Sequence, residues 1–252
     1  MAVFIAHRGE SHDAPENTLA AFKLANERDT DGMECDIRFT ADKVLVCSHD
    51  ASTLRRSGVE VMVESTTLQD LQKVDVSGGA DAFDGKYAGE PIPTFYDSLL
   101  TLKPGRTYYV EIKGSDEAII PAMRADVERA GVPYEQIVII TFHNHLVPLC
   151  KKLFPEVKTL WLTSMSRDEN GNQTRTPEEI FATLAELGAD GLDIGGRDEF
   201  LTPEFLREVK AKGYILGIWT VDDIDRCKYF VSNGVDAITS NCAAKMKALC
   251  AN

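Results

Sequence analysis

The chain alternates, and that alternation limits its fold more than any other feature. Short β-branched or apolar runs recur at Val3–Ala6, Gly32–Phe39, Tyr108–Ile112, Ile137–Ile140, Thr159–Leu162, Gly191–Ile194, Ile215–Thr220 and Ala237–Thr239. Helical stretches are predicted between them at Asn17–Glu27, Ser115–Ala130, Thr176–Leu187, Thr202–Lys212 and Asp222–Ser232. Four of these stop at or near Gly131, Gly188, Gly213 and Gly234, and two start with Thr-Pro-Glu. Glycine is the usual helix stop, and a capping threonine before proline and an acid is a usual start. Eight strands alternating with helices predict the α/β class, as a (β/α)8 TIM-type barrel. An open doubly wound sheet is disfavoured, because no GxGxxG follows the first strand. A length of 252 residues suits a single barrel domain spanning 1–252.

One interval breaks the rhythm. Between Ala51 and Pro93 lie about 40 residues without a strong strand, too long for a structureless loop. Ser77-Gly78-Gly79 and Lys86–Gly89 are turn material, and Thr66–Val74 is read as one short helix capped by Thr66 or Thr67. This stretch, 51–93, is predicted to be an inserted lobe on a βα connection, the active-site face of a barrel.

The acidic balance narrows the partners. There are 27 Lys and Arg against 40 Asp and Glu, a net charge of -13. Extended nucleic acid and anionic membrane surfaces are disfavoured, since both need clustered cations. No apolar run is long enough to span a bilayer, so no stable membrane insertion is expected. The first residues, Met1 to Arg8, do not read as a signal peptide. Six cysteines show no CxxC pair, and Cys35 and Cys47 lie inside apolar runs. Reduced thiols in a cytoplasmic protein are expected. Oligomeric state is not legible.

Residues that carry chemistry cluster at strand ends. Glu34 and Asp36 lie two apart on the second strand, hence on one face. Glu111 ends the third strand, and neighbouring strands lie about 4.8 Å apart. Two readings stay open. Three converging carboxylates suit one hard divalent cation, Mg²⁺ or Ca²⁺. They also suit a structural network of ion pairs with Arg8, Arg38 and Lys113.

His7 closes the first strand, and His49-Asp50 close the continuation of the second, through a turn at Ala41-Asp42-Lys43. Two imidazoles facing one crevice can take one proton and give another near neutral pH. His12, His143 and His145 fall in loops or helix starts. Arg8 and Lys113 are the cations so placed that they can face phosphate oxygens; an ion pair of Arg8 with Glu34 or Glu111 is compatible with that use. Asn17 is a helix-cap candidate, and Trp219 either walls a pocket or fills the barrel.

Together these residues resemble the glycerophosphodiester phosphodiesterase family. The matching text is Ala6-His7-Arg8-Gly9, Pro15-Glu16-Asn17-Thr18, Glu34-Cys35-Asp36, Thr40-Ala41-Asp42, Val46-Cys47-Ser48-His49-Asp50 and Glu111-Ile112-Lys113. Trp219-Thr220-Val221-Asp222 and Ile238-Thr239-Ser240 continue it less specifically. The resemblance implies a barrel with a small insertion after the second strand. It implies His7 and His49 as an acid–base pair, and Glu34, Asp36 and Glu111 as ligands of one divalent ion. It implies that Arg8 and Lys113 contact phosphate, and that Asn17 and Trp219 shape the pocket. The implied substrate is a small glycerophosphodiester, cut to glycerol 3-phosphate and an alcohol. The chain departs from the family at Asp42-Lys43, Thr239-Ser240 and Thr141-Phe142-His143, the last near the mouth of the barrel.

Three alternatives compete with this reading. A phospholipase D-type enzyme acting on lysophospholipid or sphingomyelin shares the same groups but generally lacks the insertion. A metal-dependent sugar isomerase or aldolase is disfavoured by the histidine pair. A non-catalytic phosphodiester- or polyol-binding module is expected to have lost a histidine or a carboxylate.

Overall fold

The predicted runs become strands that close on themselves. The protein is described by a computed structural model covering residues 1–79, 82–196 and 199–250. Its strands are β1 Val3–Ala6, β2 Gly32–Phe39, β3 Leu45–Cys47, β4 Thr107–Ile112, β5 Ile137–Thr141, β6 Lys158–Met165, β7 Gly191–Gly196, β8 Ile215–Ile218 and β9 Ala237–Ser240. Eight of them run parallel, and β1 closes the barrel by pairing with both β2 and β9. β3 is the exception. It pairs antiparallel with the top of β2, Ile37 opposite Cys47. The turn at 41–43 therefore folds the chain back along β2 instead of lengthening it.

The helices among the described residues are α1 Leu19–Glu27, α2 Leu54–Ser57, α3 Leu68–Leu71, α4 Phe95–Leu99, α5 Ile119–Ala130, α6 Leu146–Leu153, α7 Pro177–Leu187, α8 Pro203–Ala211, α9 Ile224–Ser232 and α10 Ala243–Cys250. Several begin later than their sequence pattern. α1 starts after Thr18, whose hydroxyl accepts from Ala21 N, because Asn17 sits at φ +55° and cannot continue a right-handed helix. α3 is shorter than the predicted Thr66–Val74, and Thr67 is its cap. α4, α6 and α10 lack the glycine stop that ends α5 and α7. None of the described helices is long and apolar enough to cross a membrane.

Strand alternation divides the core. Ile5, Tyr109, Ile140, Leu160, Leu162 and Ala237 pack together inside the barrel. Phe4, Met33, Cys35, Val110, Leu192 and Ile194 face the helices. Glu34, Asp36 and Glu111 stand on the inner side, because their neighbours in sequence take the outer one. The stretch 51–93 holds α2, α3 and short 3-10 turns, and its Val63, Leu71, Val76 and Ile92 form a third cluster with Val46 of β3.

Gly9 lets the first strand end turn under α1. Its φ is +79°, and a Cβ would lie 2.5 Å from the backbone carbon of Ala21. Gly9→Ala is therefore expected to destabilise the fold by more than about 2 kcal/mol. Denaturant unfolding measures it, and near-wild-type stability would show that α1 relaxes away.

Candidate active site

The site starts from the register of β2 against β4, which sets Asp36 opposite Glu111 and Glu34 opposite Tyr109. One carboxylate oxygen from each of Glu34, Asp36 and Glu111 lies within 4.8 Å of the others, and all three residues are buried. Glu34 Oε2 accepts from the backbone N–H of Arg8 at 2.8 Å. Glu34 Oε1 and Asp36 Oδ1, both buried, accept no hydrogen bond. Burial first, then the charge of Asp36, pushes Glu34 well above the usual carboxylate range. The same two causes push Glu111 up to about 8. Burial also acts against ionised Asp36, but Arg8 and Lys113 overcome it and hold that group low. Orphaned oxygens and crowded negative charge are what a hard divalent cation relieves, so this donor set fits one.

The cations around the cluster differ from the predicted network. Lys113 Nζ lies 2.8 Å from Glu111 Oε1 and 3.7 Å from Asp36 Oδ1. Arg8, at φ +55°, places NH1 3.0 Å from Glu16 Oε1. Its Nε lies 3.1 Å from Asp36 Oδ2, an ion pair without hydrogen-bond geometry. The Arg8 side chain thus pairs with Asp36 and Glu16, not with Glu34 or Glu111. Arg38 is not part of the cluster: it donates to the His49 carbonyl and to Glu64. Asn17 does not cap α1. Its side chain donates to Asp36 Oδ2 at 2.8 Å and accepts from Asp36 N at 3.1 Å, pinning the carboxylate in place.

The two histidines reach the pocket by different routes. His7 follows β1 directly. His49 is brought back by β3, whose exit is tied down by the Ser48 N–H donating to the Asp36 carbonyl at 2.9 Å. His7 Nδ1 lies 2.8 Å from Asn241 Oδ1. The Asn241 amide donates through Nδ2 to Asp222 Oδ2 at 2.6 Å, which orients it. An amide oxygen only accepts, so the network places the His7 proton on Nδ1 and the lone pair on Nε2. Burial first, then Arg8, lowers the pKa of His7, favouring the neutral ring.

His49 Nδ1 lies 2.8 Å from Asp50 Oδ1. Asp50 Oδ2 accepts from Arg55 Nε at 2.6 Å, and Arg55 also forks onto Glu16 at 2.6 and 3.0 Å. Glu16 returns to Arg8. Burial opposes its charge, but Arg55 and Arg8 bring it down to about 2. Asn241 and Arg55 are functional candidates that the sequence reading did not single out. Asp50, beside His49, is the supporting group with a local signal. His12 pairs with exposed Asp13, and His143 and His145 bond the carbonyls of Lys113 and Ser115.

His7, His49, Glu34, Glu111, Lys113 and Trp219 help line one pocket of about 190 Å³. Trp219 walls it. Its Nε1 donates to the Asp193 carbonyl at 3.2 Å, and its ring meets Phe142 edge-on at 5.7 Å. Gly195 makes room for it, since a Cβ there would come within 2.9 Å of the indole.

Comparison with known proteins adds the following. The sequence profile of the glycerophosphoryl diester phosphodiesterase family matches residues 7–245. A glycerophosphodiester phosphodiesterase of Caldanaerobacter subterraneus is 30% identical over 241 residues, covering 94% of this chain and 93% of its own. Human glycerophosphodiester phosphodiesterase 1 is 25% identical, covering 91% of this chain and 74% of its own. Among solved structures, an Oleispira antarctica phosphodiesterase in complex with the product sn-glycerol-3-phosphate is similar with a TM-score of 0.85. It is 25% identical and covers 98% of this chain and 96% of that one.

The acidic cluster makes stability depend on pH. Glu111 is raised from 4.5 to about 8 and Glu34 is raised too, so without a cation these two groups bind more protons in the folded chain than in the unfolded one. Their stabilising contribution is present below about 4.5 and falls as pH rises toward about 8. A divalent ion that replaces those protons is expected to raise Tm more at about pH 8 than at about pH 5. Thermal unfolding in chelator and in Mg²⁺ or Ca²⁺ across that range measures it. A gain that does not grow with pH would separate the ion from these carboxylates.

Proposed function

Because this chain belongs to the glycerophosphoryl diester phosphodiesterase family and is an enzyme of it, we propose that it hydrolyses glycerophosphodiesters to glycerol 3-phosphate and an alcohol. One observation carries the reading. Two imidazoles, each held through Nδ1, share a pocket with Arg8, Lys113 and the acidic cluster. The product bound in the Oleispira antarctica structure supports the same substrate class. We read 51–93 as a lobe inserted into a single barrel domain, supplying Arg55 to the site, and place the enzyme in the cytoplasm.

The residues divide the work by charge. Glu34, Asp36 and Glu111 would hold one divalent ion, Mg²⁺ or Ca²⁺, which when bound supplies Lewis-acid stabilisation of charge at phosphorus. Arg8 and Lys113 face the non-bridging oxygens as hydrogen-bond donors. Asn17 keeps Asp36 oriented, and Trp219 excludes water from one side. The backing groups then distinguish the histidines. Neutral Asn241 behind buried His7 suits a ring that starts without charge, so His7 Nε2 takes the proton of the attacking hydroxyl. The other ring, His49, backed by anionic Asp50 at Nδ1, donates to the leaving oxygen as the P–O bond breaks. The nucleophile is water, or a glycerol hydroxyl that forms a cyclic phosphate first.

His7→Ala and His49→Ala are each expected to lower glycerol 3-phosphate release from glycerophosphocholine by about 10²-fold or more. Wild-type rates in both would remove the pair from catalysis. Asn241→Ala is expected to lower kcat about tenfold or more at similar KM, because His7 loses its tautomer constraint. An unchanged kcat would make that contact merely structural. Chelation should stop turnover and added Mg²⁺ or Ca²⁺ restore it, whereas full activity in chelator would take the carboxylates out of the mechanism.

A further inference from the structure

β7 carries an acid that the hydrolytic scheme leaves unused. Alternation along Gly191–Gly196 sends Leu192 and Ile194 outward, so Asp193 points into the barrel, where it lines the active-site pocket. Asp193 is 1% exposed, and its Oδ1 has no hydrogen-bond partner among the described residues. Its lateral neighbours in the sheet are Leu162 and Gly217. Gly217 clears the space, since a Cβ there would lie 2.6 Å from Asp193 Oδ1. Burial brings this carboxyl up to about 7. A carboxyl kept for the fold would be expected to have a partner, because burying it alone is costly.

The pocket therefore has two poles. On the β1, β2 and β4 side, Arg8, Lys113 and the cation-holding carboxylates receive a phosphodiester. On β7 stands a buried acid with one oxygen left without a partner among the described residues, beside Leu162. The aromatic surface of Trp219, against the same β7 backbone, completes that side. A ligand that answers both poles is a zwitterion. We infer that Asp193 is a specificity-determining residue that binds the ammonium group of an amino-alcohol head group, which makes a glycerophosphodiester of the ethanolamine type the preferred substrate. A neutral hydroxyl would bond one oxygen and leave the buried charge unpaired. A quaternary ammonium would neutralise the charge but has no N–H for Oδ1. A primary ammonium does both. The inference rests on the phosphodiesterase reading of this pocket.

The test compares wild type with Asp193→Asn on glycerophosphoethanolamine, glycerophosphocholine and glycerophosphoglycerol. Wild-type kcat/KM is expected to be at least about tenfold higher for the ethanolamine diester than for the glycerol diester, with choline between. Asp193→Asn is expected to bring that ratio to within about threefold, as the charged hydrogen bond is lost. Equal wild-type rates on ethanolamine and glycerol diesters would overturn the inference, and so would a ratio unchanged in the variant. Calorimetric binding of phosphoethanolamine against ethyl phosphate reads the same preference without turnover. The amine is expected to tighten binding to wild type at least about tenfold and to the variant much less; equal affinities would overturn the inference. If no diester is cleaved while the amine is still recognised through Asp193, the hydrolytic reading fails and the subsite stands. Cleavage without head-group preference fails the subsite alone.

Discussion

Crowded negative charge inside the barrel is the constraint on which the rest of the site depends. Glu34, Asp36 and Glu111 occupy positions where a parallel sheet would ordinarily place apolar side chains, and all three are buried. Much of the surrounding structure compensates them. Arg8 takes a left-handed conformation that turns its backbone N–H onto Glu34 and its guanidinium toward Asp36. Asn17, also left-handed, gives up the cap position of α1 and grips Asp36 from both sides of its amide. Two non-glycine residues at positive φ in one loop carry a cost that only a tightly determined site sustains. Even so, two of the cluster's carboxylate oxygens find no hydrogen-bond partner among the described residues, and the cluster keeps its demand for a cation.

The compensation extends beyond the barrel. From Asp36 the contacts run through Arg8 to Glu16, from Glu16 to Arg55, from Arg55 to Asp50 and from Asp50 to His49. Arg55 stands on α2, inside the stretch that interrupts the strand–helix rhythm. That stretch closes the circuit by tying the support of His49 to Arg8. The opposite side of the pocket follows another logic. His7 is steadied by a neutral amide from the end of β9, whereas Asp193 Oδ1 has no hydrogen-bond partner among the described residues.

Legibility followed the range of the interactions. Alternation is local, so Val3–Ala6 and Gly32–Phe39 read as strands with the bounds they have. Glu34 and Asp36 share a face because a strand repeats every two residues. Where a side chain had two possible uses, local pattern misled. Asn17 before a helix resembles a cap, yet tertiary contact with Asp36 takes it and leaves the cap to Thr18. His49 resembles a strand end, yet it lies past an antiparallel return. Arg38 sits on the same strand as the acids, yet its side chain goes to the His49 carbonyl and Glu64.

The sequence by itself determined the barrel, the inward acids on β2 and β4, and the paired histidines near strand ends, because each follows from a period of a few residues. Tertiary structure decided which groups those residues serve. Asn241 is separated from His7 by 234 positions and Arg55 from Glu16 by 39, and neither pair leaves a local trace. It also decided that Asp193, one acid among 40 in the chain, is buried with its Oδ1 unpartnered among the described residues. Partners distant in sequence meet only when the barrel closes, and closure is also what strips the water from the charges they must answer.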